Sequence, residues 1–207
     1  MGFSNTQFSY FKDECTKRFG EDEGMSIFLQ ADKKLESMVG EIPAETSKVI
    51  RSHMADNMLP TIAMYLALKE NKLTMPSAYD HTLAFVQIAA KKAKEQNSRL
   101  KKIPFTFQIF KHFCKQVIQK QYPKDGWNVV WRKYDNKEIH VDFTSCVYFE
   151  TTKKYHCPEV CTVFCANDDT AFSGYHPKII FERSSTLAKG QSLCDFHFYN
   201  GKAYTQN

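Results

Sequence analysis

The chain has 207 residues, 43% hydrophobic and 25% charged, with a formal net charge of +5. That length supports one sizeable core or two small units sharing one, and the balance is ordinary for a globular protein. Its basic residues are dispersed, with short runs at Lys91-Lys92, Lys94, Arg99 and Lys101-Lys102. These read as solvated helix faces, so nucleic acid is not expected as a partner. No apolar run nears the roughly 20 residues of a membrane span, so no membrane role is expected. Residues 1–30 carry Lys12, Asp13, Glu14, Lys17, Arg18, Glu21, Asp22 and Glu23, which leaves no apolar region for a secretory signal. Met1-Gly2 with Thr6 fits a myristoylation pattern, but one short enough to match by chance. The expectation is a cytoplasmic protein whose seven cysteines are reduced thiols. The odd count fits that better than a complete disulfide framework.

In chain order, Phe8, Phe11, Cys15 and Phe19 recur at helical spacing, and a second helical pattern runs from Met25 to Val39 before Gly40. Thr46 or Ser47 caps a third helix carrying Val49, Ile50, His53, Met54 and Met58, which Pro60 kinks or divides. A helix follows Pro76 with Leu83, Val86, Ala90 and Ala93 on one face. Pro104 opens another, rich in Phe (Phe107, Phe110, Phe113), with Cys114, Val117 and Ile118. Near Tyr122 to Gly126 the period changes. Val129 and Trp131, then Ile139, Val141 and Phe143 alternating with His140, Asp142 and Thr144, predict two strands joined through Tyr134–Lys137. A helix over 148–155, another from Pro158 to about Ala171, and strands over 178–184 and 193–199 complete the chain. The order predicts an α+β fold: a helical part over 1–122, then a β-β-α-α-β-β part over 123–207. An antiparallel sheet of about four strands would be covered by helices, the whole forming one compact unit.

Five of the seven cysteines fall between Cys146 and Cys194, interleaved with Asp168, Asp169, His176, Glu182, Arg183 and Asp195. Three readings compete. In the first, Cys146, Cys161, Cys165 and Cys194 converge on a metal. Their spacing does not match the tight C-x₂₋₄-C pairs of zinc knuckles or the common cluster motifs, so neither metal nor cofactor is expected. In the second, the thiols are packing groups, the preferred reading for Cys15, Cys114, Cys157 and, between alternating Phe residues, Cys194. His53 and His112 likewise read as partly buried helix residues. In the third, a thiolate works beside carboxylates, a histidine and an arginine. Cys146 stands where a strand gives way to a helix, a place that lowers a thiol's pKa. Cys161 and Cys165 share a helix face that Asp168 and Asp169 continue. Two carboxylates near a helix C-terminus oppose its dipole, which points to a positive partner or ligand.

The composite pattern closely resembles the L-2-amino-thiazoline-4-carboxylic acid hydrolase family. The matching elements are Pro158-Glu159-Val160-Cys161, Cys165 with Asp168, His176-Pro177, Glu182-Arg183 through Thr186-Leu187 and Gly190, and Cys194-Asp195-Phe196. The resemblance covers about 125–199 and extends more loosely into the helical part. The closing Gly190-x-x-Cys194-x-Phe196-x-Phe198 is also similar to 4-vinyl-reductase and trafficking-complex-like α+β domains, which bind small ligands. The resemblance implies hydrolytic opening of a cyclic isothiourea carboxylate such as 2-amino-thiazoline-4-carboxylate, a cyclic amidine, to a carbamoyl-cysteine. Mapped onto these residues, that chemistry gives the working expectation of Cys165 as nucleophile with Cys146 as its rival, Asp168 and Glu182 facing the amidine, and His176 moving protons. Arg183 would hold the substrate carboxylate, and Asp169, Cys161, Thr186 and Asp195 would line the site. A non-catalytic small-molecule sensor and a cysteine-ligated metalloprotein are the alternative functions.

Overall fold

The computed structural model describes residues 2–204. Eight α-helices and four strands are formed among them: α1 (Phe11–Phe19), α2 (Glu21–Gly40), α3 (Lys48–His53), α4 (Leu59–Glu70), α5 (Met75–Leu100), α6 (Thr106–Gln121), β1 (Val129–Tyr134), β2 (Glu138–Phe143), α7 (Val147–Lys154), α8 (Cys161–Phe172), β3 (Ile179–Glu182) and β4 (Cys194–Asn200). The protein is α+β, and its second half runs β-β-α-α-β-β as expected. Short 3₁₀ turns at Phe3–Asn5, Pro158–Val160, Ser173–Tyr175 and Leu187–Lys189 supplement the helices. Among the described residues no helix is long and apolar enough to cross a membrane.

Contacts divide the chain into two units, the first made of Met1–Ala89 with Thr151–Val163. Its centre is α4, in which Leu59 to Tyr65, Ala67 and Leu68 are all buried. A helix apolar on every side must be enclosed by others, and α2 packs along it while α1 packs on α2. Phe3, Phe8, Phe11 and Phe85 stack around one another at centroid spacings of 4.8–5.5 Å. Ser47, one of the two expected caps, accepts a hydrogen bond from the Ile50 amide at the start of α3. Between α3 and α4 the backbone widens into a π-helical turn, Met54–Met58. Pro60 lacks an amide hydrogen, and in a regular helix its ring would press on the carbonyl four residues back; the wider turn accommodates it.

The second unit comprises Ala90–Glu150 with Phe164–Asn207. Its sheet is antiparallel throughout, with strand order β1-β2-β4-β3. Alternation along the strands gives the sheet one apolar and one polar face. Ile139, Val141, Phe181, Phe196 and Phe198 belong to the apolar face, and Phe110 of α6 and Phe172 of α8 pack on Phe198 at 5.0 and 5.2 Å. Glu138, His140, Asp142, Asp195, His197 and Tyr199 occupy the polar face. The β1–β2 turn is tied by Asp135, whose carboxylate accepts from the Lys137 and Glu138 amides.

At Gly24 α2 comes close to the backbone of α1. A Cβ there would lie 2.4 Å from the Cys15 carbonyl oxygen and 2.6 Å from Thr16 Cα, both backbone atoms. Gly24→Ala is therefore expected to destabilise the first unit by about 1–3 kcal/mol, read as a lower denaturant midpoint, because a helix axis must shift. Gly40→Ala, at the far end of the same helix and with open space at its Cβ, should cost nothing comparable.

Candidate active site

Arg183 follows β3 directly and turns its side chain onto the apolar face of the sheet. The guanidinium lies 5.1 Å from the Phe196 ring centroid and 5.8 Å from that of Phe181, and only 3% of the side chain is exposed. A buried cation needs partners, and α8 supplies all three. The Arg183 Nη2 donates to Asp169 Oδ1 at 2.7 Å and to the Cys165 carbonyl at 2.8 Å, and Nη1 donates to Asp168 Oδ2 at 3.3 Å. The positive partner that the Asp168-Asp169 pair called for near the end of α8 is Arg183, which also takes up a helix carbonyl there.

Asp168 and Asp169 differ in setting. Asp169 is exposed, whereas Asp168 keeps 35% of its side-chain surface in solvent. Burial pushes the Asp168 carboxyl up to about 6; the Arg183 charge pulls it down and the Asp169 charge pushes it further up. Burial wins because the link to Arg183 is the loosest of the three. A carboxylic acid that titrates near neutrality in a partly closed site can both give and take a proton.

Several groups gather around this pair. Cys165 contributes its carbonyl to Arg183, and a thiolate at Cys165 would add to the stabilisation of the guanidinium. Cys146, half-buried just before α7, and Cys165 both lie near enough to raise the Cys194 thiol. Cys194 itself is buried and accepts the Leu187 amide at 3.3 Å. Burial first, then those two thiols, push it up to about 12, in keeping with the packing reading of this thiol. Tyr122 was not singled out from the sequence. Burial raises its phenol, and negative charge on Asp168 or Cys146 would raise it further. It follows a helical stretch just before the period change, and nothing in its spacing marks it.

Other residues of the sequence pattern build the frame. The Asp195 carboxylate accepts from the Ser184 amide and hydroxyl and from the Ser185 amide; burial pushes it up, but these bonds hold it below its usual value. Thr186 is buried and caps the 3₁₀ turn Leu187–Lys189, accepting the Lys189 amide at 3.2 Å. Gly190 ends that turn at φ 80°, in the left-handed region glycine adopts without strain. The run from Ser184 to Asp195 is thus a bound turn that fixes where Arg183 leaves β3.

Glu182 is exposed, bonded to the Tyr204 hydroxyl, and pairs across the sheet with His197. Neighbouring residues on a strand face opposite ways, so Glu182 and Arg183 do not share a pocket wall. His176 is exposed on the turn before β3, and among the described residues no hydrogen bond or ion pair joins it to the Arg183 group. Cys161 is buried within the first unit, 2% exposed. Cys15, Cys114 and Cys157 are buried, each pushed up to about 12 by that burial, as packed thiols should be.

Two measurements test this electrostatic arrangement. A group whose pKa is raised on folding stabilises fully below its unfolded value and loses that contribution as pH rises through its folded value. Relative to Asp168→Asn, the parent should therefore lose stability between about pH 4 and about pH 7, seen in urea midpoints across that range. Arg183→Met should destabilise by about 1–3 kcal/mol, below the range for a fully buried pair because water reaches both carboxylates. It should also move the Asp168 titration upward, followed by carboxyl NMR.

Residues 51–198 match the sequence profile of the L-2-amino-thiazoline-4-carboxylic acid hydrolase family. No curated protein sequence matches the chain. Among solved structures, an H-NOX protein from S. oneidensis in the Fe(II)NO ligation state is similar at 14% identity, with 97% of each chain covered and a TM-score of 0.42. The unliganded Fe(II) H-NOX protein from K. algicida is similar at 11% identity, covering 96% of this chain and 97% of that one, with a TM-score of 0.37. Likenesses that loose bear on neither fold nor ligand. The profile match takes in α8 with Cys165, Asp168 and Asp169, then Arg183 and the bound turn to Asp195, and on that ground the chain belongs to the L-2-amino-thiazoline-4-carboxylic acid hydrolase family.

Proposed function

We propose that the protein hydrolyses a small cyclic isothiourea or amidine carboxylate, of which 2-amino-thiazoline-4-carboxylate is the type, with Asp168 as the proton-handling group. The observation that carries the reading is the contact of Asp168 with the sealed Arg183 guanidinium beside Cys165. Family membership supplies the substrate class. The electrophile is the ring carbon between nitrogen and sulfur. Asp168 as carboxylate takes a proton from water, and the hydroxide adds to that carbon. The C=N π pair moves to the ring nitrogen, which takes the proton of the added hydroxyl as the carbonyl forms. One ring bond at the carbon opens, its electron pair going to the departing heteroatom, which receives the proton held by Asp168. The net change is addition of one water to give a carbamoyl-cysteine. The titration of Asp168 near 6 suits both proton transfers.

In the covalent variant Cys165, or its rival Cys146, attacks the ring carbon as a thiolate, and one ring bond opens with its pair and a proton going to the departing heteroatom. Water then adds to the carbon and displaces the cysteine thiolate. Arg183 acts here as a positioning residue: its guanidinium is 3% exposed and already bound to α8, which suits holding Asp168 better than receiving a substrate carboxylate. Asp169 keeps Arg183 in place.

Turnover of L-2-amino-thiazoline-4-carboxylate by the purified protein tests the reading. Asp168→Asn is expected to lower kcat about 10²–10⁴-fold with a smaller change in KM. Asp168→Glu should restore part of it. Full activity in both Cys165→Ser and Cys146→Ser would remove the covalent variant and leave water as the nucleophile. No turnover of any cyclic isothiourea carboxylate by the parent protein would sink the proposal.

A further inference from the structure

The polar face of the sheet carries a second cluster, on the opposite side from Arg183. His140 on β2 and His197 on β4 are direct cross-strand partners, and their rings stack at 3.8 Å. Glu138 lies one pleat along β2 and its Oε1 is 2.8 Å from His197 Nδ1. One donor atom from each of Glu138, His140 and His197 lies within 4.8 Å of the others. We propose that these three residues bind a divalent cation of the zinc class, with water completing the coordination.

The donor chemistry fits. Two imidazoles and one carboxylate with an open position make up a common three-residue zinc set. A tetrahedral ion with bonds of about 2.0–2.1 Å needs donors about 3.3 Å apart, so ring rotation and shifts of about 1 Å convert the stacked pair into a chelating one. The three side chains are 13–24% exposed, near enough to solvent for an ion to enter.

The second shell is already in place. The His140 Nε2 lies 2.9 Å from Asp142 Oδ1, and the other oxygen of Asp142 accepts from Arg132 Nε at 2.6 Å. A carboxylate fixing the far nitrogen of a histidine leaves Nδ1 for the metal, the arrangement that orients most histidine ligands. Asp142 is itself buried, 3% exposed, so the orienting group is held by the fold. The surrounding field is attractive: Glu138, Asp142, Asp195 and the cross-strand Glu182 outnumber Arg132 and Lys133, the latter bonded to Glu138 Oε2 at 2.9 Å. The thiols of the catalytic reading take no part.

Titration of the full chain with Co²⁺, followed by its visible absorption and by isothermal calorimetry and repeated with Zn²⁺, tests the site. One ion per chain is expected, without the thiolate-to-cobalt charge-transfer band that cysteine ligands give. His140→Ala and His197→Ala should each weaken binding by more than about 100-fold, and Asp142→Asn by about tenfold. Cys165→Ser and Cys146→Ser should leave it unchanged. Glu138→Gln, which keeps shape and removes the charge, serves if a histidine variant loses its circular dichroism, and it too should weaken binding. No bound ion at up to about 1 mM, affinity untouched by the Glu138 and histidine changes, or binding lost with the cysteines would overturn the proposal.

Discussion

Arg183 is the constraint on which the candidate site depends. Its cation is almost wholly withdrawn from water and rests on Phe196 and Phe181, so it persists only because α8 presents two carboxylates and a carbonyl to it. That need joins the end of β3 to the middle of α8. The cation is near enough to Asp168 to hold it in position, and the contact is too long to offset the burial that raises its carboxyl. Asp169, more exposed and more tightly bonded to the same guanidinium, serves as its anchor.

Much of the family pattern around this pair is architecture. Asp195 binds the Ser184-Ser185 backbone, Thr186 caps the following turn, Gly190 supplies its left-handed end and Cys194 accepts a backbone amide. Each satisfies a polar backbone group in a run without regular structure, where an unmet donor would be costly. A residue can thus belong to a signature because the loop needs it.

The alternation of β2, β4 and β3 divides the titratable residues into two groups. Arg183 and the Cys194 thiol lie with the Phe face, and Glu182, Asp195 and His197 with the polar face. Residues adjacent in sequence therefore serve different surfaces. The Glu182-Arg183 pair reads as one functional element in the chain and separates in the fold because strand side chains point alternately.

Local sequence was enough to read the helices, the four strands, a cap at Thr46 or Ser47 and the β1–β2 turn, because these depend on neighbours within a few residues. The clash of Asp168 and Asp169 with the dipole of α8 was also legible, as was the need for a cation to answer it. Which cation answered, that Thr151–Val163 sits with the first unit, that Tyr122 stands near Asp168, and that His140 meets His197 were decided by tertiary structure. These contacts join residues far apart in the chain, and strand order and register, which local preference does not encode, bring them together.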